Sequence, residues 1–136
     1  MTQSLPAVAS RGESSLPITV LHEHDAAAAA WWRHAVVYQI YPRSFADSTG
    51  NGIGDLPGAR AKLPYLAGLG VDAVWFSPFY VSPQADAGYD IADYRDIDPL
   101  FGSLADFEGL LRDANALGLR VIVDLVPNHS SDEHAW

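Results

Sequence analysis

An apolar run that reads as a fully buried strand, Leu119 to Val126, carries Asp124 within it and is followed at once by Pro127, Asn128 and His129. A buried strand has no structural use for three polar groups at that place, so Asp124, Asn128 and His129 are candidate functional residues. Two earlier apolar segments, Ala35 to Tyr41 and Val71 to Phe76, are also followed by loops rich in Asp, Gly and Tyr. Strand, polar loop, helix, three times over, is the pattern of parallel β/α units with a site on one face.

The punctuation between the runs supports this reading. Val36 to Tyr41 is the first strand, ended by Pro42, which cannot donate to a ladder. A Gly-rich loop, Asp47 to Gly58, leads into a helical segment that reaches about Leu69, with Pro64 expected to kink or restart it and Gly70 to close it. Val71 to Phe76 is the second strand, and Ser77 through Pro99 reads as one long loop. Ser103 is an N-cap with Asp106 three residues on, Leu104, Phe107, Leu110, Leu111, Ala114 and Leu117 recur at helical spacing, and Gly118 takes the position after the helix. Right-handed crossovers then lay three parallel strands with their C-terminal ends together, in a doubly wound sheet or in a barrel. Gly50-Asn51-Gly52-Ile53-Gly54 lacks the spacing and tight turn of a dinucleotide fingerprint, so no organic cofactor is expected.

Composition excludes several classes. The net charge of −9 and a pI near 4.7 argue against a nucleic-acid partner and favour an uncharged or cationic substrate. Apolar residues make up 49% and charged residues 18%, as in a globular chain. No cysteine is present, which is compatible with the cytoplasm, the compartment expected here. No run approaches the roughly 18 to 20 apolar residues of a membrane span. Residues 1–30 mix Ser, Pro, Ala and Glu and read as a flexible leader, with His22 and His24 solvated rather than metal-bound. Trp31 and Trp32 are expected to pack beneath the sheet. The sequence does not fix the oligomeric state.

Each polar loop offers chemistry. Asp47, Thr49 and Asn51 place oxygens at alternate positions, Gly52 permits a sharp turn, and the Ile53 carbonyl and Asp55 come next, as in the first nine positions of a calcium loop. The twelfth position is Gly58 where a bidentate Glu would complete such a loop, so affinity for one structural Ca²⁺ or Mg²⁺ is expected to be modest at best. A Gly-rich turn with Asp47 as an Asx-type cap accounts for the same residues. The second loop packs Asp86, Tyr89, Asp90, Asp93 and Tyr94 into nine residues. Carboxylates accept bonds from sugar hydroxyls while an aromatic face covers the C–H side of the ring; a surface Asp/Gly turn over packed tyrosines is the alternative. Arg95 is placed to pair with Asp93 or Asp96. In the third loop Asp124 needs an Arg or several donors, and none is obvious from the sequence.

The segments AVVYQIYPRSF, DSTGNGIGDLPG, LGVDAVWFSPFY, AGYDIADYRDIDPLFG and LRVIVDLVPNHSSDEHAW carry a resemblance. In them, Trp31 to Trp136 resembles the start of the α-amylase superfamily (glycoside hydrolase family 13), in its exo-acting α-glucosidase and oligo-1,6-glucosidase branch. The resemblance implies a (β/α)₈ TIM barrel, of which residues 31–136 would be the first three β/α units. It implies a retaining α-glucosidase that releases terminal α-linked glucose from small oligosaccharides in carbohydrate catabolism, with trehalose synthase or sucrose-acting relatives as alternatives. Asp86 and Tyr89 would line the subsite for the non-reducing glucose, His129 would contact the same sugar, and Asp124 would hold an arginine near the nucleophile. Asp47, Thr49, Asn51, Ile53 and Asp55 match a divalent-ion loop, with Thr49 where Asn is common and Asn51 where Asp is common.

The family's nucleophile, acid/base and third Asp follow strands four, five and seven, so no catalytic residue is expected among these 136 residues. Three β/α units do not close a barrel of roughly 250 residues. The sequence therefore reads as a truncation, and the alternative to an enzyme is a non-catalytic fragment whose unpaired edges make it unstable and aggregation-prone.

Overall fold

The computed structural model describes residues 28–136. Most of the expected leader, with His22 and His24, lies outside the described residues. Cα packing divides the chain at Trp31/Trp32, and residues 32–136 form the unit that carries the strands and the α-helices.

Three short strands, β1 (Val37–Ile40), β2 (Ala73–Phe76) and β5 (Arg120–Val123), form one parallel sheet in the order β1-β2-β5. The register runs Ile40↔Phe76↔Val123 and Gln39↔Trp75↔Ile122. Side chains alternate across it. Ile40, Val74 and Phe76 enter a core completed by Leu56, Ala59, Leu63, Leu66, Leu110 and Ala114 from the helices, with Tyr38 and Val121 packed against it. Val37, Trp75 and Ile122 point the other way, and Val37 and Ile122 are exposed. Parallel sheets are ordinarily covered on both faces, and in a barrel that second face is filled by side chains of the remaining strands.

The connections form as their local signals dictate. α1 (Pro42–Phe45) starts on a proline whose missing N–H is not needed in a first turn. α2 (Leu56–Ala61) and α3 (Leu63–Gly68) meet at Lys62, because Pro64 would collide with the Arg60 carbonyl and offers it no N–H. Gly70 ends that pair at φ +80°. α4 (Leu104–Ala116) opens on the full capping box, Ser103 accepting from the Asp106 N–H while Asp106 accepts from Ser103, and closes on Gly118 at φ +75°. An ion pair of 2.6 Å, Arg60 to Asp113, joins α2 to α4 on the outer surface.

Three expectations need correction. The third strand, read as fully buried over Leu119 to Val126, is only Arg120–Val123, and Ile122 and Val123 are exposed. The segment 77–99 is not a single loop: β3 (Tyr80–Val81) pairs antiparallel with β4 (Asp93–Ile97), with an irregularity between Tyr80 and Val81. A two-residue strand and a partner carrying Asp93, Arg95 and Asp96 have no apolar alternation to announce them. Trp32 is not packed beneath the sheet but is 60% exposed, with Arg33 set 5.3 Å from its ring centre.

Candidate functional site

The C-terminal ends of the parallel strands are drawn together by backbone bonds, Ser77 N–H to the Ile40 carbonyl (3.0 Å) and Asp124 N–H to the Phe76 carbonyl (3.1 Å). Asp124 is the first residue beyond β5, so the last ladder bond leaves its side chain half-buried at the sheet's end. The sequence makes no partner obvious, but the chain supplies several donors. The Trp75 indole N–H donates to Oδ1 at 2.6 Å, and the Tyr89 hydroxyl donates to Oδ2 at 2.8 Å. The Tyr80 hydroxyl donates to the Asp124 carbonyl at 2.9 Å. Several donors thus meet the cost of holding a carboxylate out of water.

Tyr89 reaches Asp124 because of the turn before it. The Asp86 carbonyl accepts the Tyr89 N–H at 3.0 Å, Ala87 lies at φ +54° and Gly88 at φ +100°. The bond to Asp124 and partial burial raise the Tyr89 phenol above its ordinary range, which keeps the phenol a donor. His129 closes the other side: its Nε2 lies 3.1 Å from the Tyr89 carbonyl, and since a carbonyl only accepts, Nε2 carries the proton. Its loop is pinned by the Tyr94 hydroxyl, 2.7 Å from the carbonyls of both Val126 and His129. Tyr94, His129, Asn128 and the exposed Trp136 line a groove of about 430 Å³, the size of a small-ligand cleft. A larger groove, between α2 and α4, lies on the outer helical surface and touches none of these residues.

The carboxylates of the second loop divide by use. Asp90 accepts from the Ser82 hydroxyl and the Ala85 N–H; burial pushes it up, but these bonds prevail and hold it below the ordinary range. Asp93 accepts from the backbone N–H of Arg95, and the expected ion pair of Arg95 with Asp93 or Asp96 does not form among the described residues. Asp86 is exposed, and its carboxylate accepts no hydrogen bond from the described residues. Of the three, only Asp86 has both carboxylate oxygens unspent.

The Asp47 loop forms a separate cluster. Asp47 Oδ1 accepts from the N–H groups of Thr49 (2.8 Å) and Gly50 (2.7 Å), Oδ2 from Gly52 N–H (2.7 Å), and Asn51 Oδ1 from Ile53 N–H (2.8 Å). The bond from Gly52, with those from Thr49 and Gly50, outweighs desolvation and holds the Asp47 carboxyl below its ordinary 3.8. Asp55 is buried, accepts from Ser48 through Oδ2 and caps α2 through Gly58 N–H at 2.6 Å. The bonds of Asp47 to Thr49 and of Asn51 to Ile53 are Asx-type turns. Asp47 Oδ2 and Asn51 Oδ1 each take one bond, which leaves a lone pair on each. An all-oxygen set of this kind suits a hard divalent cation.

Tyr89, Asp124 and His129 are therefore brought together; Asp86 stands on the same turn with its carboxylate outside their hydrogen bonds. Sequence reasoning overlooked Trp75 and Tyr80, and it named Tyr94 as a loop phenol without its bonds to the His129 segment. One signal was available: a Tyr or Trp at the edge of a core finds a partner for its polar atom.

The model of the α-amylase catalytic domain matches residues 39–136. The chain belongs to the α-amylase family. It is 60% identical over 106 residues to a probable α-glucosidase of Rhizobium meliloti (strain 1021), covering 78% of this chain and 19% of that protein. To an oligo-1,6-glucosidase of Heyndrickxia coagulans it is also 60% identical, with the same coverage. The crystal structure of an α-glucosyl transfer enzyme, XgtA, superposes with a TM-score of 0.77 at 67% identity, over 78% of this chain and 20% of that one. The chain spans about a fifth of the length of the curated relatives it matches. Its sheet is accordingly three strands of an incomplete TIM barrel, which settles the choice against a doubly wound sheet. No described helix is long and apolar enough to cross a membrane.

Proposed function

We propose that these residues supply the substrate-binding loops after the first three strands of a retaining α-glucosidase, a cytoplasmic enzyme acting on terminal α-linked glucose of small oligosaccharides. The observation that carries the reading is the division of labour on one turn: Tyr89 is held against Asp124 while Asp86, three residues earlier, keeps both carboxylate oxygens free. A rigid aromatic face beside an unspent acceptor is the pairing a sugar ring requires. Asp86 accepts from the glucose hydroxyls, Tyr89 covers the ring, and His129 borders the same space. None of them cleaves the bond. Retention needs two carboxyl groups about 5 to 5.5 Å apart across it, and here Asp124 is engaged on both oxygens and Asp86 stands alone.

The complete protein is expected to turn over an aryl α-glucoside with retention, and the purified 136-residue polypeptide to show no turnover with contaminants excluded. No release by the complete protein sinks the reading; turnover by the short polypeptide sinks the assignment of binding alone. The 67% identity to XgtA favours a second reading, glucosyl transfer to a sugar hydroxyl in place of water. Product analysis with and without an added acceptor separates the two.

The Asp47–Asp55 loop is read as the holder of one Ca²⁺ or Mg²⁺ that stiffens it without entering the chemistry. Missing the twelfth-position Glu, it is expected to bind Ca²⁺ with Kd about 10⁻⁴ to 10⁻³ M. Millimolar Ca²⁺ should raise the melting temperature at pH 7, and Asp47→Ala should abolish that increment. Because the folded-state Asp47 pKa is lowered, its contribution is fully present above 3.8 and is lost as pH falls through the lower folded value. An increment that survives Asp47→Ala removes the ion from this loop.

A further inference from the structure

Trp75 is the one aromatic residue in β2 that turns away from the core. Its neighbours Val74 and Phe76 are fully buried among the helices, whereas Trp75 stands half-buried on the open face, level with Gln39 and Ile122. From there its indole N–H reaches Asp124 Oδ1, just beyond the end of the neighbouring strand. We propose that Trp75 is a positioning residue for the sugar-binding site, fixing the Asp124 carboxylate through its indole N–H so that Asp124 in turn holds Tyr89.

Four bonds fix Asp124, and they divide cleanly. Its N–H to Phe76 and its carbonyl from Tyr80 hold the backbone; Trp75 and Tyr89 hold the side chain, one donor to each oxygen. The two side-chain donors are not equivalent. A phenol can rotate, accept as well as donate, and be drawn off by a ligand hydroxyl; an indole N–H only donates and never titrates. Trp75 is therefore the fixed member, and it projects from within a strand of the sheet while Tyr89 sits beyond a turn containing two positive-φ residues, Ala87 and Gly88. The order of support runs from β2 through Trp75 to Asp124, and from Asp124 to Tyr89. A site held this way is set before substrate arrives, and such preorganisation lowers the barrier more than it tightens ground-state binding. Spatial filling alone accounts for a large apolar side chain at position 75 but not for its donor aimed at a carboxylate.

The inference rests on the glucosidase reading, and its test keeps the two apart. Two changes are made in the complete protein: Trp75→Phe, and replacement of Trp75 by 3-benzothienylalanine, which keeps the indole shape while sulfur takes the place of the N–H. Both are expected to lower kcat by about 10- to 100-fold, the worth of a hydrogen bond to a charged group. KM should stay within about threefold, since the contact acts through another residue. Made in an Asp124→Asn background, the same changes should cost less than about twofold, because coupled residues are not additive. A purely space-filling Trp75 predicts no effect from the isosteric analogue and equal effects in both backgrounds, and either result overturns the proposal. The Trp75 indole N–H resonance, observed with ¹⁵N-labelled tryptophan, should shift on Asp124→Asn. If the complete protein turns over no α-glucoside, the functional reading falls while this resonance still decides the positioning: a shift retains it, and an unmoved signal removes it.

Discussion

Asp86→Ala in the complete protein is expected to lower kcat/KM by about 10²- to 10³-fold, roughly 3 to 4 kcal/mol of transition-state stabilisation, and to leave the melting temperature unchanged. Both effects have one cause. The Asp86 carboxylate is exposed and accepts nothing from the described residues, so no folded contact disappears with it. Its neighbours differ. Asp90→Ala would strip acceptors from Ser82 and Ala85, and Asp124→Ala would strand Trp75 and Tyr89, so a loss of activity in either variant mixes recognition with unfolding. Asp86 isolates recognition. Steady-state kinetics and a thermal melt on one preparation check it: unchanged kinetics remove Asp86 from the site, and a lowered melt with lowered activity would mean that its carboxylate supports the fold instead.

What could be read in the sequence was what neighbouring residues decide. Ser103 with Asp106, Gly118 after α4, and Pro64 breaking α2 from α3 act within a few residues, and each appears where its spacing puts it. The three parallel strands announced themselves by apolar runs. The site was legible only as a set of residue types. Asp124 was marked as needing donors, but they come from Tyr89 and Trp75, 35 and 49 residues away, and no local pattern encodes such a contact. The β3–β4 pair was hidden for a similar reason: its strands are held by register to each other and by Tyr80 and Tyr94 reaching the Asp124 to His129 segment, not by alternation of their own. Trp32 was misread because an aromatic next to a strand is usually buried, whereas here the guanidinium of Arg33 lies over its exposed ring.

Gly58→Ala should destabilise the protein by about 3 kcal/mol, although helix propensity alone predicts a gain of about 1 kcal/mol in the opposite direction. Gly58 lies in the first turn of α2, buried, with its N–H on Asp55. A methyl group there would run into the carbonyl oxygen and carbon of Ala46, which are backbone atoms and cannot swing aside. Nor is Ala46 free to retreat: the same carbonyl accepts the Asp55 N–H at 2.9 Å, and Gly54, which binds Arg43 at 2.7 Å, has the Pro42 carbonyl where its own methyl would be. The seam between α1 and α2 is thus built from backbone lying on backbone, with two glycines as the only residues that fit. Gly68→Ala is the matched control. That residue closes α3 on the surface with nothing within 4 Å of an added methyl group, so there the propensity term acts alone and a gain of about 0.5 to 1 kcal/mol is expected. Opposite signs from the two substitutions, read by denaturant unfolding, establish the seam; a neutral Gly58→Ala would mean that Ala46 can move after all. Because the seam also anchors both ends of the Asp47–Asp55 loop, Gly58→Ala should weaken Ca²⁺ binding along with the fold, whereas Gly68→Ala should leave it unchanged.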